Sequence, residues 1–155
     1  MTVIPEVFVH RDDDTLVLAI QLAASAARIW SALTGPAQIH AWWGEYVTLE
    51  ARPGGRFVER WTDQGGSGVT TSGTVTRVVP EQLLELTWAD EGWSATTTVA
   101  FEIQPLASGC RLRLEHRGWA GLPEDERGEL MEDHAAGWTR QLKSLAAHLQ
   151  QGASA

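Results

Sequence analysis

The chain has 155 residues, 43% hydrophobic and 21% charged, which predicts a single globular domain over residues 1–155 with a core spanning about 15–149. Twenty acidic residues against twelve basic ones give a net charge of −8, and no block of Lys or Arg occurs, so nucleic acid and anionic membrane are excluded as partners. Cys110 is the sole cysteine, which rules out an internal disulfide and a paired-thiolate zinc site and suits a cytoplasmic location.

The N-terminal stretch MTVIPEVFVHRDDD lacks the basic flank and apolar run of a secretory signal, and its three aspartates read as a solvated charge cluster rather than a calcium loop. Thr15 to Ala27 is free of charge but far shorter than the ~20 residues needed to span a bilayer, so no membrane segment is expected. Within it, Leu16, Leu18, Ile20 and Leu22 alternate with Val17, Ala19 and Gln21, the pattern of a strand with one apolar face. Ser25 then caps a short helix over Ala26 to Leu33, stopped by Gly35-Pro36, and a second helical turn follows over Gln38 to Trp42.

From Glu45 to Arg117 the pattern is strand and turn throughout. Six strands are predicted, over Tyr46–Ala51, Gly55–Thr62, Val69–Val79, Gln82–Ala89, Ser94–Gln104 and Gly109–Arg117, with breaks of hairpin length between them. After Pro123 the period changes: Met131, Ala135, Trp138, Leu142, Leu145 and Leu149 recur at threes and fours, giving a helix of about 25 residues, long enough to cross a sheet. The fold class is therefore α+β: a curved antiparallel sheet of about seven strands wrapped round a long C-terminal helix, with two short helices after the first strand.

Eight tryptophans stand in this frame, and seven of them (Trp42, Trp43, Trp61, Trp88, Trp93, Trp119, Trp138) lie in the sheet region or the closing helix. Such a set suits either an aromatic core or the wall of a pocket for an apolar ligand. Strand alternation turns Phe57, Glu59 and Trp61 to one face, Leu84, Leu86 and Trp88 to another inner face, and likewise Thr97, Val99, Phe101 and Ile103, then Cys110, Leu112, Leu114 and His116. Met131, His134 and Trp138 share one helical stripe. Adjacent Trp42 and Trp43 point about 100° apart, so only one of them lines the interior. Trp93 and Trp119 are assigned to a rim or lid, and Gly137 to a close approach of helix to sheet.

Ile29-Trp30, Ile39-His40-Ala41-Trp42-Trp43-Gly44, Pro53-Gly54-Gly55-Arg56-Phe57, Leu86-Thr87-Trp88 and His134-Ala135-Ala136-Gly137-Trp138, in this order, resemble the homologue family of the activator of the 90 kDa heat-shock protein ATPase. That family belongs to the START-like helix-grip (SRPBCC) superfamily, and the resemblance spans about Thr15 to Leu149. It implies a helix-grip fold with an internal cavity for a hydrophobic small molecule, without implying one reaction. Chaperone activation in the family resembles a property of longer proteins carrying an additional N-terminal domain.

No nucleophile elbow, phosphate loop or metal-binding spacing is present, so no catalytic residue, metal or cofactor is assigned. Cys110 and His116 share a strand face but lie roughly 20 Å apart, too far for a dyad. The expected ligand-binding residues are Trp42, Trp43, Phe57, Glu59, Trp61, Trp88, Val99, Phe101, Leu114, His116, Met131, His134 and Trp138. Three functions follow from them. The first is non-catalytic binding of a hydrophobic or aromatic molecule by a monomer or homodimer. The second is an enzyme using His116, His134 or Glu59 as acid or base on a cyclic or polyketide-like substrate. The third is a stress-related, chaperone-linked or dimeric interaction module with the Trp119 loop as its contact.

Overall fold

The computed structural model describes residues 3–153. In chain order the elements are β1 (Phe8–Arg11), β2 (Thr15–Leu22), α1 (Ala26–Thr34), α2 (Pro36–Trp42), β3 (Val47–Leu49), β4 (Arg56–Thr62), β5 (Gly68–Val79), β6 (Leu83–Asp90), β7 (Thr97–Pro105), β8 (Cys110–Arg117), a 3-10 turn (Trp119–Gly121) and α3 (Glu124–Ala153). The sheet is antiparallel throughout, ordered β1-β2-β8-β7-β6-β5-β4-β3. The helix-grip expectation holds, with one more strand than the sequence pattern suggested.

The additional strand is β1. All four of its residues are exposed, so it carries no buried alternation to announce it. The aspartates after it are not a loose charge cluster: Asp12 Oδ1 accepts from the backbone N–H groups of Asp14 and Thr15, both at 2.9 Å, and shapes the β1–β2 turn. Those bonds hold the Asp12 carboxyl below its usual range. Asp14 reaches further, accepting from Ala120 N at 2.9 Å and so fixing the turn that follows β8.

Ser25 caps α1 by accepting from Arg28 N at 3.2 Å, and Pro36 opens α2, where its missing N–H costs nothing. The sheet curves sharply at β5, where the register shifts between Val75 and Arg77. Nearby, Gly73 is required rather than tolerated: a Cβ there would stand 1.7 Å from Thr87 O of β6. Gly137 is different. A Cβ at that position meets only the flexible Arg140 side chain at 3.7 Å, so the close helix–sheet approach expected from this glycine is absent.

The 30 residues of α3 lie across the concave face of the sheet. Its C-terminal half is tied to the two short helices by Ser144 Oγ donating to Trp42 O (2.6 Å), Arg28 Nη2 donating to Leu149 O (2.6 Å) and His148 facing Gln38 Oε1 (3.1 Å). Leu142, Leu145 and Leu149 are buried there in the main core with Ile29 and Leu33. The N-terminal half faces β6 to β8 through aromatic side chains. Among the described residues no helix is long and apolar enough to cross a membrane.

Candidate functional site

The strand register sets the inner face. β7 buries Thr97, Val99, Phe101 and Ile103, and β8 buries Cys110, Leu112, Leu114 and His116, as alternation predicts. Against them α3 presents Met131, His134 and Trp138. The result is a continuous aromatic cluster. Trp88 lies 5.0 Å from Phe57 and 4.9 Å from Trp138 by ring centroids, and Trp43 lies 5.3 Å from Phe57, 6.1 Å from Phe101 and 5.8 Å from Trp138. These are contact distances for aromatic rings, so side chains occupy the space between sheet and helix at this level.

Every buried indole N–H needs an acceptor, and two of them find it on imidazoles. Trp138 Nε1 donates to His116 Nδ1 at 3.1 Å. An indole can only donate, so the proton of His116 sits on Nε2, which donates to Thr97 Oγ1 at 2.7 Å, and the Thr97 hydroxyl in turn donates to Trp88 O at 2.7 Å. The second pair runs the other way across the helix–sheet seam. Trp88 Nε1 donates to His134 Nε2 at 3.2 Å, leaving the proton on Nδ1, which donates to Leu130 O at 2.9 Å. The two histidines therefore hold opposite tautomers with ring centroids 5.3 Å apart.

Electrostatics agrees with the hydrogen bonds. Burial, and then the neighbouring His134, hold His116 well below the usual histidine range. Burial also lowers His134, against the opposing pull of its bond to the Leu130 carbonyl and the charges of Asp90 and Asp133. Both imidazoles are neutral, and both nitrogens of each are engaged, which leaves neither free as an acid or a base.

At one end of the cluster a polar row crosses three strands. The pairing sets Glu59 of β4 opposite Thr71 of β5, and Thr71 opposite Asp90 of β6. Trp61 Nε1 donates to Thr71 Oγ1 at 2.9 Å, and Thr71 donates to Asp90 Oδ1 at 2.5 Å. Glu59 is half-buried, and its carboxyl is pushed up to about 7 by burial and by the charge of Asp90, against a hydrogen bond from the Trp43 side chain. Just outside lies an open cleft of about 470 Å³, lined by Trp93 of the β6–β7 hairpin and by Leu130 and several acidic side chains of α3.

The comparisons with known proteins complete this picture. Residues 23–150 match the family described as Activator of Hsp90 ATPase homolog 1-like protein. The chain belongs to this family. No curated relative matches it in sequence. Among solved structures, a protein from Rhodobacter sphaeroides is 21% identical with a TM-score of 0.77, the match covering 94% of this chain and 99% of that one. A protein from Mycobacterium smegmatis gives the same values, 21% identity, TM-score 0.77, and 94% and 99% coverage. DynU16, a protein of the dynemicin biosynthetic locus, is 22% identical with a TM-score of 0.74, covering 91% of this chain and 49% of that one. At such identities the likeness is one of fold, and it places the family's helix-grip architecture beyond question here.

Within this family member, the sequence-derived residues divide in two. Trp43, Phe57, Trp88, Val99, Phe101, Leu114, His116, Met131 and Trp138 are buried in the core at the helix–sheet seam, with partly buried His134 bonded to Trp88. Trp42 is buried too but donates to Ala32 O at 2.8 Å, so it ties α2 to α1 while stacking on Trp43 at 5.2 Å. Trp61 does not join the buried wall: it is 39% exposed at the open end, where Glu59 also lies. Trp119, assigned to a rim, is 0% exposed, donates to His116 O at 2.9 Å and lies 4.3 Å from the His116 ring. Its indole is therefore core rather than rim, while Ala120 and Gly121 beside it are exposed.

Three polar residues were missed. Thr97 and Thr71 are buried hydroxyls that relay hydrogen bonds, and Asp90, read as a turn residue, ends β6 on the inner row. Inward alternation already placed Thr97, but nothing in one sequence shows which hydroxyl meets which imidazole.

Proposed function

We propose that the chain binds a hydrophobic or aromatic small molecule between the sheet and α3 and performs no covalent chemistry on it. The observation that supports this most is the aromatic cluster between sheet and helix, with half-buried Glu59 hydrogen-bonded to the Trp43 side chain at its edge and the partly exposed Trp61 indole bonded to Thr71 nearby. An apolar ligand gains ~25 cal/mol for each Å² of its surface buried against such rings. Since rings already occupy the interior, a ligand enters by displacing side chains, and displacement costs least at the Trp61 and Trp93 end, where indoles already meet water.

Titration of tryptophan fluorescence with a panel of aromatic, polyketide-like and lipid compounds tests the reading. A saturable shift with micromolar to millimolar affinity, accompanied by a rise in Tm, is expected. Silence of both signals across the panel overturns it.

A second reading has one observation in its favour: the Glu59 carboxyl near 7 is suited to general acid–base work on a cyclic substrate. His116 and His134 do not serve this reading, because their nitrogens are already engaged. Turnover of a bound compound that disappears in Glu59→Gln while binding persists would favour it over simple binding.

A further inference from the structure

The polar row at the open end has a chemistry of its own. Along it every donor points the same way: the Trp61 indole gives to Thr71, and the Thr71 hydroxyl gives to Asp90. Both proton donors are thus spent inside the row, and what it turns outward is acceptor capacity, on Asp90 and on Glu59 beside it. Two indoles frame this spot, Trp61 at 39% exposure and Trp43, whose side chain hydrogen-bonds Glu59. The partly exposed Trp61 ring offers an electron-rich face that suits a cation, whereas Trp43 is buried against Trp42 and Phe57 and gives Glu59 only its N–H edge.

An independent feature points to the same charge. The adjoining cleft carries Asp125, Glu126, Glu129 and Asp133 and no Lys or Arg in its lining. It abuts the row through Trp93, whose backbone N–H donates to the Asp90 backbone carbonyl at 3.1 Å and whose ring lies 5.4 Å from His134. An approach lined with one sign of charge draws in the opposite sign and repels anions. The chain's net charge of −8 acts in the same direction.

We propose that Glu59 and Asp90 together anchor a positively charged nitrogen carried by an aromatic ligand, whose ring lies against Trp61. This rests on the small-molecule reading above and names the ligand class: aromatic amines rather than neutral or anionic aromatics. The groups facing Glu59 are Asp90 from β6 and the indole of Trp43, the residue that caps the end of α2. β3 and β5 offer uncharged Val47 and Thr71, and on α3, His134 and Asp133 lie within electrostatic reach of each other, with Asp90 acting on His134. A cation placed among them stabilises ionised Glu59. By linkage, its affinity therefore rises as pH passes upward through 7, whereas a neutral ligand's does not.

The test compares 2-naphthylmethylamine, 2-naphthylmethanol and 2-naphthoate by calorimetry at about pH 6 and pH 8, with the wild-type chain and Glu59→Gln. The amine is expected to bind about tenfold tighter than the alcohol at pH 8, with a several-fold smaller preference at pH 6, whereas in Glu59→Gln the weaker preference left to Asp90 no longer changes between the two pH values. Equal binding of amine and alcohol by the wild type, or tightest binding of the naphthoate, overturns the anchor and leaves the small-molecule reading intact. Failure of all three compounds to bind overturns both. The wild-type pH dependence decides the matter even where Glu59→Gln does not fold.

Discussion

From Leu142 to Leu149, α3 buries aliphatic side chains beside α1 and α2, whereas from Met131 to Trp138 it meets the sheet through indoles and imidazoles. The aliphatic half asks mainly for volume, and its hydrogen bonds to α1 and α2 end on the Trp42 and Leu149 carbonyls and on Gln38 Oε1. The aromatic half buries apolar rings but also N–H groups, each of which must find an acceptor. Neutral imidazoles supply two of those acceptors, so packing there depends on protonation state. One helix thus carries a half held by aliphatic packing and a half that acid weakens.

Substitutions can break or sharpen that contrast. The largest loss is expected from Trp138→Ala, about 3–5 kcal/mol by urea denaturation, because it removes ring contacts and leaves His116 Nδ1 without its donor. Leu145→Ala in the other half should cost about 2–5 kcal/mol by the same measurement, with no change in how stability depends on pH. A changed pH profile in Leu145→Ala would erase the distinction between the halves. Thr97→Val keeps the shape but strands the His116 Nε2–H, and should cost about 1–3 kcal/mol.

The pH profile itself carries two opposed signs. His116 and His134 have folded-state values below 6.5, so the unfolded chain takes up protons first; their contribution is present above pH 6.5 and is lost as pH falls below it. Glu59 is raised from 4.5 to about 7, so its contribution is full below pH 4.5 and lost as pH rises through 7. Glu59→Gln removes only the second limb: relative to the wild type its stability should climb between pH 4.5 and 7 and then level off. The smallest effect is expected from Trp61→Ala, about 1 kcal/mol or less in stability, together with loss of the fluorescence response to ligand.

How much of this was legible varies with the kind of signal. β2, β6 to β8 and α3 follow from period, because each hides one face, and the same periodicity turns His116, His134, Phe101 and Trp138 inward, whereas β4 buries only Phe57 and is marked by the turn residues around it. β1 escaped because all its residues face water. Trp119 was misplaced because a 3-10 turn has no period to say which way a side chain points; the αL glycine before it, Gly118 at φ 98°, swings the indole back under His116. The Glu59–Thr71–Asp90 row depends on register between strands that are 12 and 19 residues apart, and no local pattern encodes such pairing.

The two imidazole chains also decide where protons can travel. One runs from Trp138 through His116 and Thr97 to Trp88 O, the other from Trp88 through His134 to Leu130 O. Each begins at an indole that gives up no proton near neutral pH and ends at a backbone carbonyl that cannot hand one on. The interior is wired with hydrogen bonds yet electrically dead-ended, a dielectric plug rather than a conduit. The carboxyl raised to about 7, Glu59, stands at the mouth and outside both chains, so a molecule arriving there can change its charge without a proton passing through the imidazoles behind it.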